Sequence, residues 1–174
     1  MQDHPAAPIQ PTPPPPPRRT KSGIRYSNLG QFRVLTVGEA PAQSRALDSP
    51  EAVAQAWRDE IASKPWFDPE KEHMVVFVLN TRYRLKGWHL ASLGTINESM
   101  CHPREILRPV VVAAGYAFVI AHNHPSGEPS PSESDRRVTQ RVKDAASTLM
   151  VRLLDHVVIG SPGRYFSFRE AGLV

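Results

Sequence analysis

The sequence predicts a mixed α/β domain with helices packed on a sheet. Three observations carry this reading. Apolar, β-rich runs at Met74–Leu79, Ala117–Ala121 and Val151–Ile159 have the continuous character of strands buried on both faces. Helix-period segments alternate with them, and each opens on a helix-start signal: Ser49 before Pro50, Pro103 after His102, or Ser132. The 174 residues suffice for one domain with a real core plus a tail.

Eight of the eighteen prolines fall in residues 1–22, five of them consecutive from Pro13 to Pro17. Proline has no N–H and a fixed φ, so this segment is expected to be a disordered or polyproline-II arm. It reads as a spacer ahead of a ligand for a proline-binding module. Residues 23–48 form an N-terminal extension containing one short strand, Phe32–Val37. The main domain is expected over residues 49–174.

Within that domain, Ser49 can cap a helix that has Pro50 in its first turn and Glu51 at its positive end. Val53, Ala56, Trp57 and Ile61 then share one face. The strand at Met74–Leu79 is expected to pair with a second, Leu85–Leu93, through the polar turn Asn80-Thr-Arg82. A helix starting at His102-Pro103 should kink or restart at Pro109. The strand Ala117–Ala121 runs into a loop, and Ser132 then opens a helix with Val138, Val142, Ala145 and Leu149 on one face. A strand at Val151–Ile159 and an edge segment at Tyr165–Phe168 complete the chain.

The formal charge of +4 invites a nucleic-acid reading, but residues 1–25 carry +3 of it and leave about +1 for the remainder. Nucleic-acid contact is therefore an expectation for the basic tail alone. No apolar run approaches a membrane span, and the N-terminus lacks a secretory signal. A single cysteine, Cys101, excludes a disulfide framework and a multi-cysteine zinc site. A cytoplasmic setting follows as the expectation.

Chemistry concentrates in His122-x-His124-Pro-Ser-Gly-x4-Ser132-x2-Asp135. Two residues apart on extended chain, the two imidazoles point to the same side. Both can then bind one ion, with Asp135 from the first turn of the following helix as a third ligand. Two histidines, a carboxylate and an open fourth position match a catalytic zinc site rather than a structural one. Taken alone, Ser132-x-x-Asp135 is a helix-capping pattern and His-x-His a pair of loop histidines. Their convergence at one strand–loop–helix junction favours the metal.

These residues resemble the signature of the JAB/JAMM (MPN) metalloprotease superfamily, Glu … His-x-His-x7-Ser-x2-Asp. His102-Pro-Arg-Glu105, Ala121–Gly127 and Leu154–Gly160 resemble the RadC-type branch, historically called DNA repair proteins, over about residues 50–174. The helix-hairpin-helix region that commonly precedes this domain is not seen, so the resemblance carries over no DNA-binding region. It implies a cytidine-deaminase-like α/β/α sandwich with a mixed central sheet. It also implies Zn2+ as cofactor and an upstream catalytic glutamate, for which Glu72 is favoured over Glu70, Glu98 and Glu105. Deaminase chemistry is not expected, since His-x-Glu with Pro-Cys-x-x-Cys is absent.

The expected activity is zinc-dependent hydrolysis of a peptide or isopeptide amide in a protein or peptide substrate. Zinc would acidify the water, Glu72 would move its proton, and Ser132 would bond the water or the oxyanion. A nucleic-acid-interacting module without hydrolysis is the alternative, and a catalytically dead scaffold ranks last. His73 is expected to pack and His89 to be at the surface or semi-buried. His102 and His156 stay open, with Asp155-His156 able to orient a ligand. Cys101 receives no role.

Overall fold

The molecule is described here from a computed structural model covering residues 45–94 and 102–174, together with the short strands β1 (Asn28–Leu29) and β2 (Phe32–Arg33), which pair with each other. The proline-rich arm, the rest of the Phe32–Val37 expectation, Glu98 and Cys101 lie outside the described residues.

A five-stranded mixed sheet forms the centre. It is built from β3 (His73–Leu79), β4 (Leu85–Leu93), β5 (Ala117–Asn123), β6 (Arg152–Ile159) and β7 (Tyr165–Ser167) in the order β4-β3-β5-β6-β7. Only β5 and β6 run parallel, because the helix between them returns the chain. Strands β3 and β5 are buried along their whole length, as their unbroken apolar runs require.

Helices cover both faces, which makes the α/β/α sandwich expected from the sequence. On one face lies α1 (Pro50–Trp57), continued by a π turn through Ala62. Ser49 accepts from the Ala52 N–H as its N-cap, and Val53, Ala56, Trp57 and Ile61 are buried against Val75, Phe77, Val119 and Val157. On the other face, α2 (Pro103–Val112) and α3 (Glu133–Thr148) pack over Met74, Val76, Val78, Phe118 and Ile120. Each fully buried Val, Phe or Ile contributes about 1.5–3 kcal/mol of transfer free energy.

Two expectations are corrected. Helix α2 does not restart at Pro109 but runs through it, with Ile106, Leu107 and Val110 buried on either side. Their anchorage outweighs the one main-chain bond that proline deletes. On α3 the buried stripe is Asp135, Val138, Thr139, Val142 and Ala146, while Leu149 is half exposed and Ala145 only partly buried. The helix is thus rotated so that two polar residues face inward. Among the described residues, no helix is long and apolar enough to cross a membrane.

Candidate metal centre

Three elements meet at the C-terminal end of β5. The strand continues beyond the expected Ala121 and carries His122 into the interior, fully buried opposite Met74 of β3. His124 follows immediately, Asp135 projects from the first turn of α3, and Glu72 stands just before β3. The ligand atoms of Glu72, His122, His124 and Asp135 all lie within 4.8 Å of one another. His122 Nε2 is 3.0 Å from His124 Nε2 and 3.3 Å from Asp135 Oδ1. Asp135 Oδ2 is 3.5 Å from His124 Nε2, and Glu72 Oε1 is 3.5 Å from His122 Nε2 and 3.9 Å from His124 Nε2.

The donor chemistry fits a metal ion. His124 Nδ1 lies 2.8 Å from the Glu128 carbonyl, which can only accept, so that nitrogen carries the proton and Nε2 of the neutral ring is bare. A bare Nε2, a second imidazole nitrogen and two carboxylates therefore face a common point. Such a set of Lewis bases could hold a cation. Electrostatics say the same. Burial acts to raise the Asp135 pKa, but bonding to His122, His124 and Ser132 outweighs it and holds the carboxyl far below its ordinary range. Asp135 in turn raises the pKa of His124, against the effect of burial.

Local structure holds each group in place. Ser132 and Asp135 form a reciprocal capping box in which Asp135 Oδ2 accepts from both the N–H and the hydroxyl of Ser132, each at 2.7 Å. The loop after His124 is clamped to the end of β6 and the β6–β7 connection: Ile159 O accepts from His124 N at 2.9 Å, and Gly127 O from Ser161 N at 2.8 Å. A Cβ on Gly160 would sit 2.5 Å from Gly127 O, so the clamp requires glycine there. Glu72 is held through its neighbours. Asn123 accepts from His73 N through Oδ1 and donates to Lys71 O through Nδ2, both at 2.9 Å, while Glu72 O accepts from Gly94 N.

Of the residues expected from the sequence, His122, His124, Asp135 and Glu72 are brought together, with the exposed Ser132 at the rim. Glu70 is exposed in the preceding turn, and Glu105 pairs with Arg104 and Arg108 on α2. His102 is the N-cap of α2, accepting from Arg104 N. His89 is semi-buried, one of the two placements expected. His156 is fully buried with its Nε2 2.9 Å from His122 Nδ1, so it touches a member of the cluster. Asp155 faces elsewhere: it accepts from Ser167 Oγ and from the N–H groups of His156 and Arg169, tying β6 to the C-terminal turn. Burial raises its pKa despite those bonds. Sequence reading missed Asn123 and Thr139. Asn123 carried a signal, an amide between two histidines at a strand end, whereas Thr139 had nothing to distinguish it from any other helical threonine.

A mixed sheet clothed by helices on both faces, with a His-x-His strand end facing an aspartate on the next helix, defines the JAB/MPN fold class. The chain belongs to the RadC-like JAB domain family, whose model matches residues 47–173. It is 42% identical over 107 residues to a UPF0758 protein of Pelodictyon phaeoclathratiforme, covering 62% of this chain and 48% of that one. It is 37% identical over 154 residues to a UPF0758 protein of Rubrobacter xylanophilus, covering 88% and 64%. A UPF0758 protein of Geobacter sulfurreducens is 38% identical over 170 residues, covering 90% and 73%. The chain thus spans about half the length of the first of these relatives and under two thirds of the second.

Proposed function

We propose that this domain is a zinc-dependent amide hydrolase acting on a peptide or isopeptide bond, with His122, His124 and Asp135 as metal ligands. One observation carries the reading: four Lewis-base side chains converge within 4.8 Å at a strand end, three from the ligand pattern and Glu72 beside them. Zinc held there would supply Lewis-acid polarisation and bring the pKa of water towards roughly 7.

The protein's own groups divide the remaining work. Glu72 takes the proton of the attacking water and delivers it to the leaving amine nitrogen, the two halves of general acid–base catalysis. Its side chain is 16% exposed, so it reaches both solvent and cluster. Asp135 Oδ2 accepts two bonds from Ser132, so the main-chain one remains when the hydroxyl turns away. The exposed Ser132 hydroxyl is therefore free to turn and donate to the developing oxyanion.

The test has two arms. Purified protein is expected to hold one zinc ion per chain, and a His122→Ala/His124→Ala double variant none; equal zinc content in the two would overturn the ligand assignment. Fluorogenic peptides and isopeptide-linked lysine substrates are expected to be cleaved by the wild type and spared by Glu72→Gln. Cleavage by both at equal rates would remove Glu72 from its role.

A further inference from the structure

His122 can offer Nε2 to a metal only if its one proton sits on Nδ1. The atom meeting that Nδ1 is not a carbonyl or carboxylate oxygen but His156 Nε2, 2.9 Å away, and an imidazole nitrogen accepts only when bare. What makes it bare lies one step further out. His156 Nδ1 is 2.6 Å from Thr139 Oγ1, and the single hydroxyl proton of Thr139 is donated to the Asp135 carbonyl at 2.6 Å. With its proton engaged there, Oγ1 can only accept from His156. The His156 proton is thereby confined to Nδ1. The ring is fully buried and stacks 4.7 Å from Phe168 at 13°, which holds its plane.

We infer that Thr139 and His156 are positioning residues: donation runs from His122 to His156 to Thr139 to the Asp135 carbonyl, dictating the Nδ1–H tautomer of His122 and aiming its Nε2 lone pair into the cluster. This deepens the metal reading and rests on it. The relay is a closed loop through three elements. It ends on the main chain of Asp135, whose own side-chain Oδ1 lies 3.3 Å from the His122 Nε2 that the relay exposes. Thr139 is four residues after Asp135, so its bond to that carbonyl is the back-bonding geometry open to a helical threonine. Its place in the buried stripe between Val138 and Val142 would otherwise suit valine, which has the same shape and neither donor nor acceptor.

The experiment reads proton positions directly. Long-range 1H–15N spectra of the imidazoles in the metal-free, full-length protein are expected to show His156 and His122 as Nδ1–H tautomers. In Thr139→Val, His156 loses its acceptor, its proton moves to Nε2, and His122 is driven to the Nε2–H form. Zinc titration should then show affinity reduced by about 10- to 100-fold. Thr139→Ser should restore both tautomers and affinity. An Nε2–H signal for either ring in the wild type would overturn the relay, as would a Thr139→Val variant with wild-type tautomers and wild-type zinc affinity, whatever its thermal stability. A wild type that binds no zinc would sink the hydrolase reading, while the tautomers would still decide the relay.

Discussion

His73 and His122 are both fully buried histidines at the ends of neighbouring antiparallel strands, yet they face opposite sides of one sheet. His73 packs among aromatic rings, 4.8 Å from Phe67 and 5.9 Å from Trp66, and donates Nδ1–H to Lys71 O. Its Nε2 has no hydrogen-bond partner. His122 meets His156 on one nitrogen and His124, Asp135 and Glu72 around the other. Burial and residue type are the same, and only the elements packed above each ring differ. On the α1 face a histidine serves as a flat filler; on the α3 face the helix supplies charge. The seam between them is Asn123, which holds the His73 N–H and, through Lys71, the approach to Glu72.

Substitutions that separate the two faces sharpen this contrast. The largest effect is expected from His122→Ala. Zinc at 100 times its dissociation constant should stabilise the wild type by about 2.7 kcal/mol in thermal unfolding and leave the variant unmoved. Glu72→Gln comes next: turnover should fall about 10²- to 10⁴-fold while metal analysis still finds zinc. Loss of zinc together with activity would make Glu72 a ligand instead of a base.

Asn123→Ala should cost about 1–3 kcal/mol in denaturant unfolding, because it leaves the buried His73 N–H without an acceptor. Turnover should drop with zinc affinity retained, since the ligands do not pass through Asn123. His73→Phe tests the filler role. It deletes an orphaned nitrogen and one hydrogen bond, so stability should change by less than about 1 kcal/mol and zinc binding not at all. A weakened zinc site in this variant would mean that the two faces are coupled.

The smallest effect lies at the edge of the α1 face, where the Tyr165 hydroxyl donates to Glu51. That bond, followed by burial and the Glu51 charge, raises the Tyr165 pKa to about 12. A raised folded-state pKa gives stability that is complete below the ordinary tyrosine value near 10 and lost as pH climbs towards 12. Glu51→Gln should bring this tyrosine back towards 10 in an ultraviolet absorbance titration and leave the metal centre untouched.

Much of the architecture was legible because its causes are local. Met74–Leu79 is a strand by composition alone, Ser49-Pro50-Glu51 caps a helix wherever it occurs, and Ser132-x-x-Asp135 forms its box within four residues. The restart allowed for at Pro109 does not occur, for the converse reason. Proline's penalty is local, but the packing of Ile106, Leu107 and Val110 that offsets it is not. The site shows the same division. His122, His124 and Asp135 are spaced by a strand and a helix turn, whereas Glu72 reaches them only because β3 lies antiparallel to β5.

The sequence by itself determined the residue types, their spacing along one strand–loop–helix unit, and the caps that make the unit fold. Those are short-range matters of rotamer, φ and hydrogen bonding over a few residues. Tertiary structure alone decided that Glu72 is the glutamate beside the histidines, that α3 turns Thr139 inward, and that His156 rather than His73 meets a member of the cluster. Each depends on strand register or helix rotation across the core, where a shift of one residue would carry the same side chain to the other face.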